Sequence, residues 1–381
     1  MKKILIMYAT YGTGHKSIAR YVEEYFKSNN SEIEIKNIDL LDYVMPKIGA
    51  ITAKVSNKII LARNPILWGM IYKFFDSKVT TFGTYRLISK FFDSEKLKRE
   101  VIDYNPDLVI STHFFASSSI SRYKKKGYIN SSLITIITDY QSHELWLQNQ
   151  KCEDAIIVAS KDEKREIVKK GIDKSKIRIY GIPISTRFNE KYNREEVLKK
   201  LSISGERPIY LFFGGGGCGS KSSLPYLKEL IKLNLNADII FVSGNSTSVK
   251  LKAQKIVEKS NNNNVRIFGF VTNVPELMTI SDVVITKPGG ITVTECLTLK
   301  KPMILINKTA GHEKGNLKYL TKNNFALNAS SVKKFKKSII LIHSNKKVLN
   351  KLHSNLNKNV EASSSMKKLY NLSIELLNYK K

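Results

Sequence analysis

Residues 281–295 constrain this chain more than any other stretch. Asp282-Val283-Val284-Ile285 is a short, apolar, β-branched run that reads as a buried strand. Thr286-Lys287-Pro288-Gly289-Gly290 breaks that pattern with turn residues, since Pro lacks an amide donor and Gly lacks a side chain. A helix is expected from residue 292 to 299, its first turn pointing back at the glycine pair. Strand, glycine turn and helix start together make an anion seat, because unpaired amides and roughly +0.5 of charge collect at a helix N-terminus. Glu295 lies one turn inside, where a carboxylate repels phosphate unless it faces something else. The paired hydroxyls of a ribose are such a partner, so the stretch reads as the diphosphate and ribose site of a nucleotide-sugar.

The same grammar opens the chain. Residues 4–8 read as a strand, Thr10-Tyr11-Gly12-Thr13-Gly14-His15 as a glycine turn, and residues 16–27 as a helix with Ile18, Ala19, Val22 and Phe26 on one face. Residues 33–38 alternate as a second strand that ends at Asp39. This β-loop-α-β order opens a doubly wound α/β sheet. A dinucleotide fingerprint fails on its third glycine, because the position after Gly12 and Gly14 is Ser17. Further strands follow at 107–111, 133–137, 155–159 and 177–180. Ligands in such sheets gather beyond the carboxyl ends of strands, which puts His113, Asp139 and His143 on one edge. Asp139, at a strand tip, is the candidate general base, or else a cap for the helix after it. His15 either caps its turn or hydrogen-bonds an acceptor or anion.

The second half restarts with a strand at 209–213 and then Gly214-Gly215-Gly216-Gly217-Cys218-Gly219. Such a loop lets backbone approach a bulky anion, but no Gly-Lys-Ser/Thr follows at Walker spacing. Strands at 239–243, 265–270 and 302–306 complete a second doubly wound half, the tip at 269–271 suiting a flat base. The expected partition is 1–187, a linker at 188–206, a second domain at 207–345, and basic terminal helices at 346–381 that possess a route back to the first half. Two doubly wound halves would then face a central cleft.

Composition limits the partners. Across 381 residues there is no apolar run of 18, so no spanning helix is expected. The short apolar start leads into a glycine loop and reads as a core strand, not a leader. Three scattered cysteines without ligand spacing fit a reducing cytoplasm and no metal site. A net charge of +30 asks for an anionic partner unless it is compositional drift. Within residues 55–100, Trp68, Phe74 and Phe75 alternate with lysines and arginines. Those rings either pack inward or sit at the headgroup boundary of an anionic membrane. RNA-binding aromatic signatures are missing, so nucleic acid is not an expected partner. Residues 331–381 hold twelve lysines and two acids, with periodic Leu and Ile, as basic helices do.

Several motifs recur together in one known family. Tyr11-Gly12-Thr13-Gly14-His15, Thr138-Asp139-Tyr140 with His143 and Trp146, Gly181-Ile182-Pro183, and the two stretches at 286–295 and 311–316 occur here in the family's order. Over residues 1–330 the chain resembles the plant monogalactosyldiacylglycerol synthases and bacterial processive diacylglycerol glucosyltransferases, kin of the peptidoglycan lipid N-acetylglucosaminyltransferase. The resemblance implies a GT-B fold and an inverting, metal-independent transfer from a UDP-sugar to diacylglycerol, by a protein peripheral on the inner membrane face. It implies that Gly269, Phe270 and Val271 meet uracil, that Glu295 holds ribose, and that Gly289, Gly290, Ile291 and Thr292 face the diphosphate. Gly214, Gly215, Gly216 and Asn316 would also contact the UDP-sugar, with His312 and Glu313 at the sugar or ribose. Asp139 would be the base, assisted by His15. His15, Tyr11, Trp68, Phe74, Phe75 and His143 would meet the acceptor or anionic lipid. The family has Gln where this chain has His312, which leaves glucose and galactose both open. Transfer to another lipid, such as a polyprenyl-linked acceptor, is the alternative.

Overall fold

The computed structural model describes residues 1–10, 13–44, 94–215, 220–260, 262–306, 313–358 and 364–379. The chain divides into two compact α/β units, Met1–Thr186 with Glu361–Lys381, and Arg187–Val360. Each is built on a parallel six-stranded sheet covered by helices, the doubly wound architecture expected. Strands buried on both faces need continuous apolar runs, and the central strands here have them.

In the first unit the strands are β1 (Lys2–Tyr8), β2 (Ile33–Asp39), β3 (Leu108–Ser111), β4 (Ser132–Ile136), β5 (Ala155–Val158) and β6 (Ile177–Ile179), in the order β2-β1-β3-β4-β5-β6. Their helices are α1 (Gly14–Asn29), α2 (Leu40–Val44), α3 (Glu95–Tyr104), α4 (Phe114–Lys125) and α5 (Lys161–Lys169). Helix α1 buries Ile18, Ala19, Val22 and Phe26. Asp39 is used structurally. Its carboxylate accepts from the Thr10 amide at 3.2 Å, the Thr10 hydroxyl and the Leu41 amide at 3.1 Å, tying the β1 and β2 tips together.

The second unit contains α6 (Arg194–Lys200), β7 (Ile209–Phe213), α7 (Leu224–Lys232), β8 (Asp238–Val242), α8 (Thr247–Glu258), β9 (Val265–Phe268), α9 (Val274–Ile280), β10 (Val283–Thr286) and α10 (Gly290–Thr298). It continues with β11 (Met303–Ile306), α11 (Glu313–Lys322), β12 (Ala326–Ala329), α12 (Val332–Ser344) and α13 (Lys346–Lys358). The sheet order is β12-β11-β10-β7-β8-β9, so chain direction across the sheet switches between β7 and β10. Its core gathers Tyr210, Phe212, Phe241, Ile285, Ile304 and Phe335.

Both boundary stretches carry structure of their own. The 188–206 stretch is not a bare linker: Asn193 caps α6, and Arg194 donates from that helix to the Ile280 carbonyl at the end of α9. The terminal helices do not form one block either. Helix α13 belongs to the second unit, whereas α14 (Ser365–Tyr379) belongs to the first. Tyr370 of α14 stands edge-on to Phe26 and Tyr25 of α1, with centroids 5.1 and 5.8 Å away.

Candidate functional site

In the second unit the predicted residues collect at the carboxyl edge of the sheet, around its switch point. Helix α10 begins at Gly290, two residues earlier than its periodicity suggests, with Gly289 as its N-cap. The amide of Gly289 is not bare, since it donates to the Lys287 carbonyl at 2.9 Å. The anion-facing donors of the turn are therefore the first-turn amides of Gly290, Ile291 and Thr292, which helix geometry leaves without intrahelical partners. A Cβ at Gly289 would meet nothing within 4 Å, so open space lies beside the turn.

Glu295 is 7 % exposed, and its carboxyl has no hydrogen-bond or ion-pair partner among the described residues. Burial pushes its carboxyl up to about 8. An unsatisfied buried acid is costly, and a ligand supplying two hydroxyl donors removes that cost. Asn316, expected at the UDP-sugar, has no exposed surface. Its amide donates to the Pro288 carbonyl at 3.0 Å, so it braces the turn from α11. Glu313, at the start of that helix, is half-buried.

Just past the adjacent strand β7 the glycines have separate reasons. A Cβ on Gly214 would come within 2.6 Å of the Phe241 ring, so that position is glycine because of core packing. Gly215 adopts φ +88°, a left-handed conformation that side chains resist. Beyond β9, Gly269 and Val271 are half-buried and the Phe270 ring is 66 % exposed, a flat apolar surface open to a base.

In the first unit, His15, His113, Asp139 and His143 follow the ends of the neighbouring strands β1, β3 and β4. The His15 Nδ1 lies against the Thr112 carbonyl, which can only accept, so Nδ1 carries a proton. His113 is the reverse. Its Nδ1 accepts the Phe115 amide at 3.2 Å as N-cap of α4, leaving Nε2–H as a donor. The two rings meet edge to face with centroids 4.9 Å apart. Phe114, His143 and Trp146 close the cluster, with His143 to Phe114 at 5.0 Å and to Trp146 at 6.0 Å. Asp139 and His143 are buried at 7 % and 6 % exposure. Trp146 is buried too, and its indole N–H has no hydrogen-bond partner among the described residues.

Tyr11, Trp68, Phe74, Phe75, Gly216 and His312 lie outside the described residues. Among those described, no group of three or more His, Cys, Asp or Glu side chains gathers as a metal site. Sequence reasoning missed the bracing role of Asn316. Nothing local marks it, because its partner lies 28 residues earlier.

Comparison with known proteins places both halves. Residues 15–184 match the family model of monogalactosyldiacylglycerol (MGDG) synthase, and residues 211–373 match the glycosyltransferase family 28 C-terminal domain. The chain is 29 % identical over 329 residues to a processive diacylglycerol beta-glucosyltransferase of Staphylococcus epidermidis, covering 85 % of this chain and 80 % of that protein. A Bacillus cereus protein of the same name is 28 % identical over 330 residues, covering 85 % and 81 %. Among solved structures, MurG of Acinetobacter baumannii shares the fold at 13 % identity and a TM-score of 0.65, covering 98 % of this chain and 100 % of that one. Anabaena HepE, in complex with UDP and glucose, gives 12 % identity and a TM-score of 0.59, with 100 % of each chain covered. By both of its halves, the chain matches the family 28 glycosyltransferases of the monogalactosyldiacylglycerol synthase type.

Proposed function

We propose that the chain moves a hexosyl group from a UDP-sugar to the free hydroxyl of diacylglycerol, with inversion at the anomeric carbon, as a peripheral protein on the inner face of the cell membrane. The observation that carries this reading is Glu295, a buried carboxyl with no partner among the described residues, set one turn inside a helix whose N-cap, Gly289, has open space beside it. That arrangement suits a ribose joined to a diphosphate. The names of the relatives supply the acceptor class. No helix among the described residues is long and apolar enough to cross a membrane, and the net charge of +30 suits an anionic surface.

The chemistry divides between the units. In the first, Asp139 takes the proton of the acceptor hydroxyl, and the oxygen attacks the anomeric carbon. His15, its ring held by the Nδ1–H bond to Thr112, hydrogen-bonds the acceptor and helps aim it. In the second, the bond from the anomeric carbon to the diphosphate oxygen breaks, and the electron pair leaves with UDP. The amides of Gly290, Ile291 and Thr292 meet the charge that builds there, and fixed dipoles of this kind lower such a barrier by several kcal/mol. Gly269, Phe270 and Val271 hold the uracil, while Glu313 and His312 touch the sugar.

The test is incubation with diacylglycerol and either UDP-glucose or UDP-galactose, with the products resolved by chromatography. A neutral glycolipid is expected from one donor. Transfer to a polyprenyl phosphate acceptor but not to diacylglycerol would overturn the acceptor assignment. Asp139→Asn is expected to abolish turnover while UDP still binds, and unchanged turnover would remove Asp139 from the base role.

A further inference from the structure

Helix α5 carries two groups that the transfer chemistry does not use, and both reach the loop that holds Asp139. Glu163 is 1 % exposed. Ser160 caps α5 by accepting the Glu163 amide at 3.2 Å, which makes Ser160-Lys161-Asp162-Glu163 a capping-box sequence. In the usual box the acid turns back to the amide of its own cap residue. Here it reaches farther. Its Oε2 accepts the Ala159 amide at 2.7 Å, and its Oε1 accepts the hydroxyl of Ser142. Ser142 is itself buried, three residues after Asp139 and one before His143. About two turns farther, at the C-cap of α5, the ammonium of Lys170 donates to the Ser142 carbonyl at 3.4 Å and pairs with Glu144 at 3.0 Å. Residues 142–144 are thus held at one side chain, one carbonyl and one carboxylate, all from a single helix.

We propose that Glu163 is a positioning residue for the transfer reaction: through Ser142, and with Lys170 as the second grip, it fixes the loop that presents Asp139 and His143. The proposal rests on the reading of Asp139 as the acceptor-side base. Electrostatics agree with the geometry. Burial drives the Glu163 carboxyl up to about 8 against the bonds from Ser142 and Ala159, and the charge of Asp139 adds to the rise. Glu163 therefore senses Asp139 although it makes no bond to the acceptor. A loop following a strand tip has no ladder of its own, so side-chain grips decide where its carboxylate points. A displacement of an ångström at such a group costs about a hundredfold in rate.

The test measures kcat in the chain that keeps Trp68, and reads fluorescence in a separate Trp68→Phe background, in which Trp146 is the sole tryptophan. Trp146 lies in the short 3-10 turn Glu144–Leu147, so acrylamide quenching of its emission reports on the loop directly. Ser142→Ala and Glu163→Gln are expected to raise that quenching and to lower kcat by about ten- to a hundredfold. Donor KM and UDP affinity should stay within about twofold, because the donor is held elsewhere. Should Glu163→Gln fail to fold, Ser142→Ala decides alone, retained UDP affinity certifying its fold. Wild-type kcat and quenching in the folded variants, with only Tm reduced, would overturn the proposal. If the parent enzyme itself transfers nothing to diacylglycerol, the acceptor reading falls, while the Trp146 quenching still judges the clamp.

Discussion

The side-chain amide of Asn316 donates to the carbonyl oxygen of Pro288 across 3.0 Å, in a position with no exposed surface. This bond fastens the start of α11 to the turn ahead of α10, so the amides of Gly290, Ile291 and Thr292 are held from behind.

Asn316→Ala would leave the buried Pro288 carbonyl short of a donor, at a cost of about 1–3 kcal/mol. The expected outcome is a lower Tm and UDP affinity reduced by about tenfold in calorimetry. A variant with normal UDP affinity would show that the turn keeps its shape without the brace.

Glu295 links donor binding to pH. Its folded-state carboxyl, raised by burial to about 8, holds a proton that the unfolded chain releases from about 4.5 upward. Its contribution to stability is therefore greatest at low pH and falls as pH rises between those values. Ribose hydroxyls favour the ionised form, so UDP binding at pH 7 should release a proton and tighten as pH rises toward 8. Calorimetry in buffers of different ionisation enthalpy measures that release. Glu295→Gln should abolish it and weaken binding, and proton uptake on binding would contradict the assignment.

Two glycines separate packing from ligand contact. Gly214→Ala puts a methyl group 2.6 Å from the fully buried Phe241 ring, and overpacking of this kind costs about 1–3 kcal/mol. Thermal melts should show the loss, and Phe241→Leu should restore part of it. Gly289→Ala meets no protein atom within 4 Å, so its Tm should hardly change while UDP affinity falls. Equal Tm losses in the two variants would refute this division.

Tyr370 predicts where the chain's end belongs. It packs edge-on against Phe26 and Tyr25, and Ser365 donates to the Ile182 carbonyl at 3.3 Å. Removal of residues 364–381 uncovers this face of α1. The truncated protein is expected to lose first-unit stability, detected as faster hydrogen exchange in α1, with UDP binding in the second unit retained. Unchanged exchange in α1 would show that α14 contributes nothing there.

Local order was written plainly enough to be read in advance. Apolar runs such as Ile209-Tyr210-Leu211-Phe212-Phe213 become buried parallel strands because only such runs bury both faces. The glycine turns after them mark the edge where ligands collect, and Glu295 stood out as an acid set where an anion belongs. Tertiary structure alone decided the rest. Asp39 reads only as the end of a strand, and its ties to Thr10 and Leu41, partners 29 and 2 residues away, appear only in the fold. The need for glycine at position 214 comes from Phe241, on the neighbouring strand. Asn316, expected at the UDP-sugar, also braces the turn ahead of α10, and Glu163 bonds Ser142, 21 residues earlier. Periodicity and turn chemistry act between near neighbours in the chain. Hydrogen-bond partners are chosen by which distant segments the sheet order brings side by side, and no local pattern records that.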